Sequence, residues 1–197
     1  MNQPTDKQSL RRLMRQRRRD FVAARDGRPW TLPEDRFGYL LDRGTIVASY
    51  FPYGSEADPV PVVQLALRAL STPAYPRVDT DGLMRFYAFG PSRGLARDAA
   101  NMMAPGPDAW PAKPHVILLP LVAFDRSGTR LGQGGGHYDR AIAALDQVAD
   151  PKLPAVTRPP IVRIGIAWSV QEYPSLPRDP WDISLDHIIT EKEWITP

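Results

Sequence analysis

The chain has 197 residues, enough for one sizeable core, and its 43% apolar and 24% charged residues are typical of a globular protein. It has no cysteine, which excludes disulfides, thiol catalysis and cysteine-ligated metals. The longest apolar run, residues 116–124, is too short to span a bilayer, and the amino terminus has no apolar signal-peptide core. We therefore expect a cytoplasmic protein with no membrane association.

Positive charge is concentrated at the amino terminus. Residues 1–28 carry nine Lys and Arg against three Asp, a net charge of +6, whereas the remaining residues carry −3. A basic arm of this kind raises the possibility of nucleic-acid binding. No aromatic interleaving, nucleic-acid fold signature or basic repeat accompanies it, so we expect no nucleic-acid partner.

The first predicted element is a helix over residues 5–25, opened by a capping-box pattern of Thr5 with Gln8. At 100° per residue, Lys7 and Arg11 lie on the apolar side of this helix. Two interpretations stay open. These cations either extend past the edge of the core to water, or line a cleft that holds an anion. The apolar positions with helical spacing are Leu10, Leu13, Met14 and Phe21.

Strand and helix patterns then alternate along the chain. Strands are predicted at 45–50, 74–78, 83–89, 116–119, 161–168 and 187–190, and helices at 60–70 and 138–148, with a proline-rich connection at 150–160. Uninterrupted apolar strands between helices predict an α/β fold: a single domain over residues 1–197, with a mostly parallel sheet covered on both faces. Ligands of such sheets bind beyond the carboxyl ends of the strands. The loops after Tyr50, Leu119 and Trp168 should meet there.

A glycine-rich loop follows the central apolar run. Glycine lets backbone N–H groups crowd around a ligand, and a following helix N-terminus favours an anion, so the segment indicates a phosphate site. A mobile turn is the simpler alternative. The P-loop pattern fails because no Lys-Ser or Lys-Thr follows, and the dinucleotide pattern fails because His137 stands at its third glycine. The candidate phosphate-binding residues in this loop are Gly132, Gly134, Gly135 and Gly136.

A nucleoside triphosphate site also needs cations and a hard metal held by carboxylates. Asp139 and Asp182 are the candidate metal ligands, and Lys7, Arg11 and Arg130 the candidate phosphate cations. Simpler roles stay open for both carboxylates. Asp139 could favour its helix N-terminus electrostatically, and Asp182 could be a turn residue.

The central segment, residues 119–125 followed by Arg130-Leu131-Gly132, Gly134, Gly136 and Tyr138-Asp139-Arg140, closely resembles the 5-formyltetrahydrofolate cyclo-ligase family. Weaker family pieces occur in order: Lys7-x-x-Leu10-Arg11, Tyr50 with Glu56-Ala57-Asp58, Ile164 to Ala167, Gln171, Pro177, Asp182 and Leu185 to Glu191. The resemblance covers nearly the whole chain.

This resemblance implies a three-layer α/β/α sandwich related to the ribose-phosphate isomerase and CoA-transferase group. It implies ATP- and Mg²⁺-dependent conversion of a small-molecule substrate, 5-formyltetrahydrofolate, to 5,10-methenyltetrahydrofolate by a monomer or homodimer. The formyl oxygen would take the γ-phosphoryl group, and N10 would then attack the activated carbon. The implied roles are Lys7, Arg130 and Tyr138 in catalysis, Lys7, Arg11 and residues 130–138 on ATP, Asp139 and Asp182 on Mg²⁺, and Tyr53, Glu56, Asp58 and Tyr138 on the folate.

Four positions depart from the family pattern. Ala104 stands where Glu is usual, His115 where Asp is common, Trp181 where a small polar residue or His is usual, and His137 where the first of two tyrosines is common. These departures keep two alternatives in view. One is a divergent paralogue that activates another formamide or amide with ATP, and the other is a non-catalytic regulator that binds a nucleotide or folate.

Overall fold

Three α-helices and twelve β-strands form the part of the chain that the computed structural model describes, which is residues 6–25, 32, 36–147 and 160–197. The helices are α1 (Lys7–Ala23), α2 (Val60–Arg68) and α3 (His137–Gln147). The strands are β1 (Ile46–Ala48), β2 (Thr72–Val78), β3 (Met84–Ala88), β4 (Leu95–Arg97), β5 (Met103–Pro105), β6 (Trp110–Ala112), β7 (Val116–Pro120), β8 (Ala123–Phe124), β9 (Arg130–Leu131), β10 (Val162–Ile166), β11 (His187–Ile189) and β12 (Trp194–Ile195). No helix within these ranges has the length and apolarity needed to cross a bilayer.

Eight strands form the central sheet, in the order β12-β11-β10-β7-β1-β2-β3-β6. The five from β11 to β2 are mutually parallel, whereas β12, β3 and β6 join through antiparallel pairs. The mostly parallel sheet is therefore confirmed. Every predicted strand exists within a few residues of its expected bounds, whereas β4, β5, β6, β8, β9 and β12 were not predicted.

Side chains of the central strands alternate between two apolar layers, as the period of an extended chain requires. In β7, Val116 and Leu118 pack on the α2 side, whereas Ile117 and Leu119 pack on the α3 side. The α2 side also receives Phe21 of α1. The three-layer α/β/α sandwich is thus confirmed.

Helix α1 is positioned by its apolar face, not by the sheet alone. Leu10 and Met14 are fully buried against the β8–β9 hairpin, which leads into the glycine-rich loop. The helix is capped by Asp6, whose carboxylate accepts the Ser9 N–H at 2.9 Å. The predicted capping residue Thr5 lies outside the described residues, as do Val148 and all of the predicted connection except Pro160.

Candidate functional site

The loops that follow the parallel strands enclose one cavity of about 1540 Å³. Residues 50–56 reach it from β1, the glycine-rich loop from the β8–β9 hairpin after β7, and residues 179–182 from the segment after β10. Helix α1 forms a further wall. The prediction that these three loops meet beyond the carboxyl ends of the strands is therefore confirmed. The cavity also exceeds the roughly 300–1,000 Å³ typical of a site for one small ligand.

The glycine-rich loop has a backbone that glycine alone adopts easily. Gly134 has φ +109° and Gly136 has φ +61°, values that strain a residue with a Cβ. Among the described residues, the N–H groups of Gly134, Gly135 and Gly136 donate to no other group. These unpaired N–H donors lie beside the first turn of α3, and together they form an environment that favours an anion.

Helix α1 holds this loop through two arginines. Arg11 Nε donates to the Gly132 carbonyl at 2.9 Å. Arg15 donates to the Gln133 side chain from Nε at 3.0 Å and from Nη2 at 2.7 Å, and to the Gln133 carbonyl at 3.1 Å. Arg11, one of the predicted phosphate cations, therefore lies at the cavity wall. Arg15 was missed, although it continues the four-residue spacing from Lys7 through Arg11.

Arg130 and Asp139 form an ion pair across the loop. The Arg130 side chain is 5% exposed, and its Nη2 lies 2.6 Å from Asp139 Oδ1. Asp139 Oδ1 also accepts the Ile183 N–H at 3.3 Å. Arg130 Nε is buried and finds no partner within the described ranges. Burying a guanidinium with an unpaired N–H raises the free energy of the folded protein. Arg130 is therefore a good candidate to bind an anionic ligand.

Lys7 bridges two carboxylates at the other end of α1. Its Nζ lies 2.7 Å from Asp179 and 2.5 Å from Asp182. Burial disfavours the charge on Lys7, but the hydrogen bonds to both carboxylates outweigh it and raise the pKa of Lys7. Burial likewise opposes the charge on Asp182, but hydrogen bonds from the Asp179 N–H and Lys7 lower its pKa overall. Asp179 was not predicted as a site residue.

A second part of the cavity centres on Glu56. Its Oε1 accepts a hydrogen bond from Gln133 at 3.0 Å, and its Oε2 accepts the Tyr53 N–H at 3.1 Å. The buried Arg18 lies 4.0 Å from Glu56 and donates to the Ser55 hydroxyl and the Leu121 carbonyl. Arg18 was also missed, although it continues the cationic spacing of α1. Glu56 thereby joins the glycine-rich loop to the loop after β1.

Tyr53 and Tyr138 border the cavity, whereas Asp58 does not. Burial and the charge of Glu56 raise the pKa of Tyr138, so its side chain remains a neutral phenol. Asp58 Oδ1 accepts the Val60 N–H at 2.9 Å at the start of α2. Its predicted contact with the substrate stays a prediction. The short chain from Asp58 to Val60 lets this carboxylate satisfy a local backbone donor.

The predicted metal ligands lie near one another. Asp139 accepts the N–H of Ile183, the neighbour of Asp182, and the charge of Arg130 acts on both carboxylates. No group of three or more metal-ligating side chains occurs in the part of the chain that the structure describes. An ion that needs an all-protein cage is not accommodated by this set. Mg²⁺ needs only one or two carboxylates besides water and phosphate oxygens, so the residues fit it.

The sequence profile of the 5-formyltetrahydrofolate cyclo-ligase family matches residues 3–191. The chain belongs to this family. It is 30% identical over 204 residues to the 5-formyltetrahydrofolate cyclo-ligase of Mycolicibacterium smegmatis, an alignment that covers 98% of this chain and 97% of that protein. The Escherichia coli K12 cyclo-ligase is 30% identical over 155 residues, covering 75% of this chain and 79% of the relative.

Solved structures agree with this assignment. The 5,10-methenyltetrahydrofolate synthetase of Aquifex aeolicus superposes with a TM-score of 0.58 at 27% identity, covering 97% of this chain and 84% of that one. The synthetase of Mycoplasma pneumoniae gives a TM-score of 0.56 at 24% identity, covering 95% and 100%, and supports the fold. Cyclo-ligases are ATP-dependent, so the chain is placed among the ATP-dependent ligases of folate one-carbon metabolism.

The structure gives local accounts of two departures from the cyclo-ligase pattern. His115 Nδ1 accepts the Ile46 N–H at 2.9 Å, so this residue ties β7 to β1. Ala104 is buried in β5 opposite Ala96 and does not border the cavity, whereas its neighbours Met102 and Met103 do. His137 is exposed at the cavity wall. Trp181, the fourth departure, is exposed and also borders the cavity.

Proposed function

We propose that this protein converts 5-formyltetrahydrofolate to 5,10-methenyltetrahydrofolate with ATP, using the single cavity described above. The observation that carries the proposal is the meeting of two unlike regions in that cavity. One contains the glycine-rich loop with Lys7, Arg11 and Arg130, and the other contains Glu56 and Tyr53. A reaction between a polyanion and a flat, hydrogen-bonding heterocycle needs both regions side by side.

The phosphate region would neutralise and position the triphosphate. Phosphoryl transfer needs mainly positioning and charge stabilisation, and backbone N–H groups and fixed cations supply both without reorganisation. The N–H groups of residues 134–136 would donate to phosphate oxygens, together with Arg130 and with Lys7 and Arg11 on α1. Arg15 would keep the loop in this arrangement through its bonds to Gln133.

Asp139 and Asp182 would hold Mg²⁺, which when bound supplies neutralisation of charge on the transferred phosphoryl group. In the structure these carboxylates pair with Arg130 and Lys7. When these carboxylates turn to Mg²⁺, Arg130 and Lys7 become available to donate hydrogen bonds to phosphate oxygens.

The folate region would bind and orient the pterin. The Glu56 side chain is 10% exposed, and Gln133 and the Tyr53 N–H each donate to one of its oxygens. A carboxylate is a strong acceptor for the amino and ring N–H donors of a pterin. Tyr138 stays protonated and can donate a hydrogen bond, but it cannot serve as a base near neutral pH. Its proposed catalytic contribution is therefore polarisation or positioning.

The chemistry follows from the poor leaving ability of an amide oxygen. The formyl oxygen would attack the γ-phosphorus and displace ADP, giving an iminophosphate. N10 would then attack the formyl carbon, lose its proton, and expel phosphate to close the methenyl ring. Arg130, Lys7 and the loop N–H groups would stabilise the charge on the transferred group in the first step and on departing phosphate in the last.

The decisive assay incubates the purified protein with 5-formyltetrahydrofolate and Mg-ATP, and follows both the near-ultraviolet absorbance of the methenyl product and the release of ADP. We expect both to rise in equal amounts. ADP without methenyl product would contradict the proposal and indicate activation of another amide. Binding of nucleotide or folate with no turnover would indicate a regulator.

A further inference from the structure

Trp181 is an exposed aromatic residue at the wall of the cavity. Its side chain is 71% exposed, although it borders the same cavity as Lys7 and the glycine-rich loop. A tryptophan has a large apolar surface, and leaving it in water forgoes the free energy that burial would provide. None of the roles proposed above uses this ring. Its exposed face is therefore free to receive a ligand.

The ring is presented by a short, well-fixed turn. The Asp182 N–H donates to the Asp179 carbonyl at 3.0 Å, with Pro180 at the second turn position, where its fixed φ is favourable. The Asp182 carboxylate accepts the Asp179 N–H at 2.8 Å, and Arg178 donates to the Asp182 carbonyl at 3.2 Å. A ligand that stacks on Trp181 would meet a turn that is already ordered, which lowers the entropic cost of binding.

The position of the turn indicates which substrate would meet the ring. Trp181 is adjacent to Asp182, which pairs with Lys7 in the phosphate region. A second exposed aromatic residue, Tyr53, is 74% exposed and lies with Glu56 in the folate region. The reaction brings together two flat heterocycles, a pterin and a purine. Among the described Phe, Tyr and Trp residues that line the cavity, Tyr53 and Trp181 are the exposed ones, and Trp181 is the one beside the phosphate region.

We propose that Trp181 stacks on the base of the bound nucleoside triphosphate and so contributes to nucleotide affinity. This inference rests on the proposed function, because it assumes that the triphosphate occupies the loop region. Stacking on an aromatic side chain strengthens binding by about 5- to 150-fold per base and tolerates any base, since every base has a π-face. Trp181 therefore favours a nucleotide over bare triphosphate, and distinguishes little between ATP and GTP.

The test compares Trp181→Ala and Trp181→Phe with Trp110→Ala. Trp110 is a matched control because it is 59% exposed but lies in β6, away from the cavity. Titration calorimetry gives the Kd for ATP and for inorganic tripolyphosphate in the same buffer, and steady-state kinetics gives the KM for ATP and for 5-formyltetrahydrofolate. We expect Trp181→Ala to raise the Kd for ATP by about 5- to 20-fold, at the lower end of the stacking range.

In the same variant, tripolyphosphate affinity and the KM for folate should stay within about twofold of wild type. Trp181→Phe should retain most of the ATP affinity, and Trp110→Ala should change nothing. Equal weakening of ATP and tripolyphosphate would overturn the inference, because Trp181 would then act through Asp182 and Lys7. A raised KM for folate alone would also overturn it, since the ring would then meet the pterin.

The stacking inference and the proposed function can fail separately. If wild type forms the methenyl product and Trp181→Ala binds ATP as tightly as wild type, the stacking inference fails alone. If wild type binds ATP but forms no methenyl product, the proposed reaction fails, and the Kd comparison still decides whether the ring meets the base. If wild type binds no nucleotide, both fail together.

Discussion

Replacing Asp139 by asparagine should affect both stability and catalysis, because its carboxylate pairs with Arg130 and is also a proposed ligand of Mg²⁺. In the structure it neutralises Arg130, whose side chain is 5% exposed, across 2.6 Å. Removing one partner of a fully buried pair costs about 3–5 kcal/mol, because the remaining charge is left uncompensated. Asp139 is 22% exposed, and asparagine keeps one acceptor oxygen, so we expect a smaller loss of about 1–3 kcal/mol.

For a chain of 197 residues, each kcal/mol lowers Tm by roughly 2–4 °C, so Asp139→Asn should lower Tm by about 2–12 °C. The matched control is Asp146→Asn. Asp146 lies on the same helix α3 as Asp139, and its exposed carboxylate pairs with Arg163 of β10. A surface pair contributes about 0–1 kcal/mol, so the control should stay within a few degrees of wild type. Thermal unfolding followed by circular dichroism measures both.

The catalytic effect is measured separately at a temperature where both variants are folded. Loss of a metal carboxylate should lower kcat by at least about 100-fold and raise the Mg²⁺ concentration that gives half-maximal activity. A low kcat with an unchanged Mg²⁺ requirement would mean that Asp139 acts only through Arg130. A near-normal rate at saturating Mg²⁺, with wild-type Tm, would refute both parts of the reasoning.

The remaining predictions concern three residues, Lys7, Arg15 and Tyr138. Lys7→Ala should raise the KM for ATP at least about tenfold more than the KM for folate. The reason is that a hydrogen bond between a cation and a phosphate contributes about 1.5–3 kcal/mol. Equal effects on the two KM values would count against a phosphate role for Lys7. The pKa of Lys7 is raised and that of Asp182 lowered, so the stabilisation lost in this variant should be constant from about pH 5 to 10, as measured by urea unfolding. This difference in unfolding free energy between wild type and Lys7→Ala should vanish as the pH falls through the lowered pKa of Asp182 or rises through the raised pKa of Lys7. A difference that disappears near pH 7 would contradict the pairing. Arg15→Ala should raise the KM for ATP about 3- to 10-fold by releasing the loop, whereas exposed Arg17→Ala on the same helix should not, and identical KM values would show that the loop holds itself. Tyr138→Phe should lower kcat without moving any limb of the pH–rate profile between pH 6 and 9, because its pKa is raised above 10, and a lost limb would reveal a base role.

Local sequence patterns predicted the parts of the site that depend on neighbouring residues. The glycine-rich loop was predicted because its conformation is set by a few adjacent residues, two of which have positive φ. The helical spacing likewise predicted that Lys7 and Arg11 face the protein. The same spacing continues at Arg15 and Arg18, so both could have been found by following the helix face two turns further.

The pairing of charges could not be read from the sequence. Arg130 and Asp139 lie nine residues apart, and only the path of the loop between them brings them into contact. Lys7 meets Asp179 and Asp182 across more than 170 positions, through the packing of α1 on the hairpin. The sequence supplied candidate cations and candidate carboxylates as separate sets, whereas the fold makes each the partner of the other.

The basic amino-terminal segment has a local explanation in this fold. Leu10 and Met14 bury one side of α1 on the β8–β9 hairpin. This packing brings a row of cations at Lys7, Arg11, Arg15 and Arg18 to the cavity wall. Of the eight basic residues of this segment that the structure describes, five line the cavity, because Arg19 joins these four. The proposed triphosphate site accounts for these cations without a nucleic-acid partner, because phosphoryl transfer needs cations that neutralise the phosphates. The same helix that completes the core also supplies the charge, so substitutions on its apolar side should weaken ATP binding by moving these cations away from the loop.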